Sequence, residues 1–164
     1  MRTLQFYFDY ECPYCKKGYD YLMKQIDDYP ETEIQWIPIE SHPLPENHPP
    51  HTHLACQSYY IAKELGADMK AFHDVMYQAV AMERRNVEKP EVLCEIIKSI
   101  MDPVKFRVIL ESGKYAKQIE DNNDLAYEKN NVWYVPALRM DGRKLDAQGG
   151  LGINPRELQQ FLRG

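Results

Sequence analysis

The chain has 164 residues, 44% of them hydrophobic and 27% charged, with a formal net charge of −5. That length suits one domain with a real core, and an acidic chain without a basic block excludes nucleic acid as the expected partner. No apolar run approaches the ~20 residues of a membrane span.

The start, Met1-Arg2-Thr3-Leu4, runs into a strand-like segment without the apolar stretch of a signal peptide. The expected compartment is therefore cytoplasmic, where a Cys-x-x-Cys pair is more often catalytic or metal-binding than a structural disulfide. Thr3 to Phe8 reads as an aromatic-rich strand. Cys12 to Tyr29 reads as a helix with Tyr19, Leu22, Met23 and Ile26 on its core face, stopped by Pro30. Glu33 to Glu40 alternates as a second strand, which Pro38 pushes toward an edge or an end. Strand, helix and strand in about 40 residues form a βαβ unit with parallel strands.

Ser41 to His53 is a loop with four prolines and four of the five histidines. From Thr52 to about Asn130 the reading is helical: Leu54–Leu65, Met69–Arg84, Pro90–Ile100, Pro103–Glu111 and Tyr115–Asn130. Pro90 and Pro103 fit first-turn positions, with Asp102 as a cap. No linker flanks this block, so residues 1–164 are expected to be one domain with a helical insertion at about 52–130. Val132 to Met140 reads as a strand, Asp141-Gly142 as a two-residue hairpin turn, and Arg143 to Ala147 as the returning strand. Asn154-Pro155-Arg156-Glu157 opens a last helix, with Asn154 as its cap.

The chemistry concentrates where the first strand hands over to the first helix, at Cys12-Pro13-Tyr14-Cys15. With Pro13 at the first helical position, Cys12 is the N-cap and Cys15 lies in the first turn. Free backbone N–H groups and the positive end of the helix dipole then favour a Cys12 thiolate. Cys15 is placed to attack a mixed disulfide on Cys12. Glu11 opposes the thiolate, while Lys16 and Lys17 favour it.

The element order β-α-β, helices, β-β-α, with Cys-x-x-Cys after the first strand and Val135-Pro136 far downstream, resembles the DsbA-type proteins of the thioredoxin superfamily. The resemblance implies an α/β thioredoxin-like fold and thiol–disulfide oxidoreductase activity on protein or small-molecule disulfides. It implies catalytic Cys12 and Cys15, a cis-proline at Pro136, and a substrate-binding edge shaped by Pro13, Tyr14, Val135 and Pro136. Pro13-Tyr14 is similar to the glutaredoxin dipeptide, whereas periplasmic DsbA proteins typically have Pro-His, so Cys12 is expected to be less acidic than in those oxidants. No cofactor is required, and glutathione is a candidate reductant or substrate.

Two other readings compete. One is a glutathione-dependent transferase or isomerase on the same fold, of the kappa-class or 2-hydroxychromene-2-carboxylate isomerase kind, although those proteins usually carry Ser where this chain has Cys12. The other is a metal-binding protein using the cysteine pair and the histidine loop. His42, His48, His51 and His53 match no standard ligand spacing and are expected on the surface or as a wall of the substrate groove, so no metal is assigned. Cys56 and Cys94 are expected as buried structural thiols. His73 is expected on a helix surface or in packing, Trp36 and Trp133 on strands as core or site-edge aromatics, and Tyr10 and Tyr14 bordering the thiol in contact with substrate, with packing against the helix as the alternative for Tyr10.

Overall fold

A computed structural model describes the whole chain, Met1–Gly164. Its elements are β1 (Arg2–Phe8), α1 (Pro13–Gln25), β2 (Thr32–Pro38), α2 (His53–Glu64), α3 (Met69–Tyr77), α4 (Pro90–Ile97), α5 (Pro103–Ser112), α6 (Ala116–Asp124), β3 (Ala137–Met140), β4 (Arg143–Asp146) and α7 (Pro155–Arg163). The sheet order is β2-β1-β3-β4. β2 runs parallel to β1, with Phe6 opposite Trp36, β3 runs antiparallel to β1, and β4 runs antiparallel to β3. β1 is thus central, and β2, with Pro38 as its last residue, is an edge where a missing N–H costs no ladder bond.

Local signals account for most boundaries. Pro13, Pro90, Pro103 and Pro155 all open helices, where their fixed φ fits and their missing N–H is not needed. Asp68, Asp102 and Asn154 cap α3, α5 and α7 with side-chain oxygens. Asp141 and Gly142 both take positive φ, as a hairpin turn between β3 and β4 requires. Alternation along β1 divides the core. Leu4, Phe6 and Phe8 face the main cluster with α1, α2 and α3, while Tyr7 joins Ile37, Ile39 and Ala137 on the other face.

Two helices end differently from their periodicity. The Met69–Arg84 run is α-helical only to Tyr77, then forms a π-turn at Gln78–Met82. The Tyr115–Asn130 run does the same at Leu125–Lys129. Each π-turn closes with an N–H reaching six residues back, Arg85 to Ala79 and Val132 to Ala126, around a left-handed residue, Arg84 or Asn131. A left-handed residue at that place is common for Asn and uncommon for Arg.

The strand expected from Val132 starts only at Ala137. Val132 to Pro136 is an irregular loop, and Trp133, expected on a strand, is 82% exposed at its tip. No helix is long and apolar enough to cross a membrane.

Candidate active site

Cys12 sits just past the carboxyl end of the central strand, as the N-cap of α1 with φ −90° and ψ 114°. Its Sγ accepts the Cys15 backbone N–H at 3.3 Å, and Sγ lies 3.7 Å from the Val135 carbonyl oxygen. Cys12 is half-buried, Cys15 is fully buried, and both are free thiols. Hydrogen bonds toward its sulfur, from Cys15 first, lower the Cys12 pKa, against the opposing effects of burial and of Asp9. Burial pushes the Cys15 thiol well up, and Cys12 adds to it. One sulfur is thus biased toward thiolate and its neighbour toward thiol, the split that ordered attack and resolution needs.

Lys16 is paired with Asp20 at 2.9 Å, and Lys17 lies over the Tyr14 ring. In place of their expected help, the thiolate is favoured by the Cys15 side chain and by the backbone N–H groups of Cys15 and Tyr14. The negative group that opposes the thiolate is Asp9, which sequence reading missed. Asp9 is fully buried and accepts hydrogen bonds from the Ser41 N–H (2.8 Å), the Ser41 hydroxyl (2.7 Å), the Thr52 hydroxyl (2.9 Å) and the Glu11 N–H (3.3 Å). Burial nevertheless raises its pKa. Glu11, 7% exposed, is pushed up to about 7 by burial and then by Asp9.

Cys12 and Glu11 open on a cleft of about 460 Å³, with Asp9 and Cys15 buried beneath. One wall is polar: Glu11, Ser41, His42, His48 and Arg84. The Arg84 guanidinium donates to the Glu11 carbonyl oxygen at 2.9 Å. The other wall is apolar: Tyr127, Val132, Trp133, Tyr134 and Val135. Pro13 and Tyr14 lie between, with Cys12. Of the four residues expected to shape a binding edge, Pro13, Tyr14 and Val135 line the cleft. Pro136 is buried behind it against Gly18, and the Val135–Pro136 bond is cis.

Tyr10, expected either at the thiol in contact with substrate or packed inward, takes the inward place and is fully buried in an aromatic nest. There its hydroxyl meets His73 Nδ1 at 3.1 Å, and Trp36 packs on the same ring. His73 is therefore a core residue. Cys56 is buried as expected, whereas Cys94 is half-exposed. Arg84 was invisible to sequence reading, because only the left-handed turn after the π-turn brings it to the cleft.

Over residues 1–162 the chain matches the family model described as Thioredoxin. No curated protein matches it in sequence. Similar solved structures include a probable DsbA oxidoreductase from Streptomyces coelicolor, with a TM-score of 0.81 and 16% identity, covering 99% of this chain and 88% of that one. Pseudomonas aeruginosa DsbA superposes with a TM-score of 0.71 and 18% identity, covering 99% and 80%. Chlamydia trachomatis DsbA gives 0.70 and 12% identity, covering 99% and 85%. At these identities the likeness is one of fold, and that fold is the α/β thioredoxin-like arrangement with helices between β2 and β3.

Proposed function

The chain belongs to the thioredoxin family, and from that premise we propose that it is a thiol–disulfide oxidoreductase acting on peptide and protein disulfides. The observation that carries this reading is Cys12 itself. It is half-exposed in a cleft and capped onto the N–H of its buried partner, Cys15. In the reducing direction the Cys12 thiolate attacks one sulfur of a substrate disulfide. The S–S bond breaks, the second substrate sulfur leaves as a thiolate, and a mixed disulfide remains on Cys12. Cys15 then gives up its proton and attacks Cys12 Sγ. The substrate sulfur that Cys12 first attacked is now released as a thiol, taking up that proton, and a Cys12–Cys15 disulfide carries the two electrons' worth of oxidation. The reverse sequence oxidises a dithiol.

The Val135 carbonyl beside Cys12 offers an acceptor to an extended peptide, and Pro136 has no N–H to compete. Trp133 and Tyr134 supply exposed apolar area for its side chains. No organic cofactor enters this cycle, and glutathione serves as a small thiol donor or acceptor at Cys12.

The test is Cys15→Ser. The variant is expected to stall as a mixed disulfide on Cys12, seen as a mass increment removed by reductant, while Cys12→Ser forms none. The reduction potential of the intact pair then gives direction: a value near about −270 mV marks a reductant, and one near about −120 mV an oxidant. A pair that does not cycle overturns the reading.

A further inference from the structure

The polar wall of the cleft holds an arrangement that thiol exchange does not use. Glu11, His42 and His48 each bring one ligand-type atom within 4.8 Å of the other two. His42 Nε2 stands 3.8 Å from Glu11 Oε1. The His42 and His48 rings stack, with centroids 3.7 Å apart and planes 24° from parallel. His42 Nδ1 is engaged by Glu46 Oε1 at 2.7 Å. A carboxylate on Nδ1 fixes the tautomer that leaves the Nε2 lone pair free, the outer-shell support that metal-binding imidazoles usually have.

We propose that Glu11, His42 and His48 bind a divalent transition-metal ion of the Zn²⁺ class. Two imidazoles and one carboxylate suit such an ion. Three protein ligands leave a fourth position, which here faces the cleft. Metal–ligand bonds of about 2.1 Å place tetrahedral ligand atoms about 3.4 Å apart, so closure from separations within 4.8 Å asks for at most about 1.4 Å of movement. His48 is exposed on a surface loop and is free to supply it. The Arg84 guanidinium works against the ion, but its hydrogen bond goes to the Glu11 backbone oxygen and leaves the carboxylate available. The remaining loop histidines are weaker competitors. His51 meets Glu88 at 3.6 Å and His53 meets Glu40 at 3.9 Å, and each pair supplies only two ligands. The site needs none of the thiol chemistry. Once filled, it would clamp the His42–His48 loop onto the residue next to Cys12.

The test uses a Cys12→Ser/Cys15→Ser background, so that thiolates cannot hold the ion. Titration with Zn²⁺ by calorimetry and with Co²⁺ by visible absorption is expected to give one ion per chain, without a thiolate charge-transfer band. His48→Ala in that background is expected to weaken binding by more than tenfold. Glu46→Gln, which removes only the outer carboxylate, is expected to weaken it at least about tenfold. No stoichiometric binding, or an affinity unchanged by both His48→Ala and Glu11→Gln, overturns the proposal. Should the double serine background lose its helical circular dichroism, the same comparison of His48→Ala is read by the nitrogen and oxygen part of the Co²⁺ spectrum in the otherwise unaltered chain. A difference there supports the site, and none overturns it.

Discussion

Two regions share the short segment Phe8–Glu11 and handle buried polar groups in opposite ways. Phe8 and Tyr10 turn into the aromatic nest, where His73 is surrounded by rings and held neutral, with a pKa near 3 caused by burial alone. Asp9 and Glu11 turn toward the Cys12 cleft, where two buried carboxylates lie close enough to raise each other's cost of ionisation. The nest accepts one polar side chain by keeping it uncharged. The floor of the cleft keeps Asp9 by surrounding it with four donors. One region invests in stability, and the other tolerates charge beside a thiol whose reactivity that charge restrains.

The largest effect should come from breaking the nest with acid. His73 has a folded pKa of about 3 against an ordinary 6.5. The unfolded chain therefore binds a proton that the folded chain refuses, and stability is lost as pH falls from about 6.5 toward about 3. The loss is on the order of 5 kcal/mol across that window. His73→Phe should flatten this acid limb in urea unfolding series, while costing about 1 kcal/mol at pH 7 because the Tyr10 hydroxyl loses its hydrogen-bond partner.

Breaking the floor comes next. Asp9→Ala strands the donors of Glu11, Ser41 and Thr52 and should cost roughly 3 kcal/mol in the same assay. It also removes a negative charge that raises the Cys12 pKa, so iodoacetamide should alkylate Cys12 faster below pH 7 than in the parent chain. A slower reaction would mean that Asp9 acts on the thiol through loop position rather than charge.

Smaller changes sharpen the contrast. A Cβ on Gly18 would stand 2.9 Å from Pro136 Cγ, so Gly18→Ala must shift one of them. It should cost about 1–3 kcal/mol and lower peptide exchange by moving Val135. Trp133→Ala should leave stability within about 0.5 kcal/mol. It should raise KM for peptide disulfides several-fold while sparing small ones, since that ring is 82% exposed on the cleft wall.

What sequence revealed was local. Pro13 at the first helical position, the Asn154 cap and the Asp141-Gly142 turn act through neighbours within four residues, and all appear where expected. The reach of Asp9 to Ser41 and Thr52, and of Glu11 to His42, depends on the chain folding back over 30 residues or more. Nothing in the spacing of the histidines announces that Glu11, in the turn between β1 and α1, completes their group. Trp133 misled for the opposite reason: β-favouring residues from Val132 onward look like a strand, but the ladder to β1 begins only at Ala137.

The two π-turns have a bearing on how this cleft can change. Each carries the phase of one surplus residue, and an α-helix advances about 100° per residue. A single-residue deletion within Gln78–Met82 would restore α-helical phase and swing Arg84 off the polar wall. The same deletion within Leu125–Lys129 would swing Val132 and Trp133 off the apolar one. Opposite sides of one binding space are thus set by two independent indels, so the width and polarity of the opening can drift between relatives without a substitution at Cys12, Cys15 or the sheet that carries them.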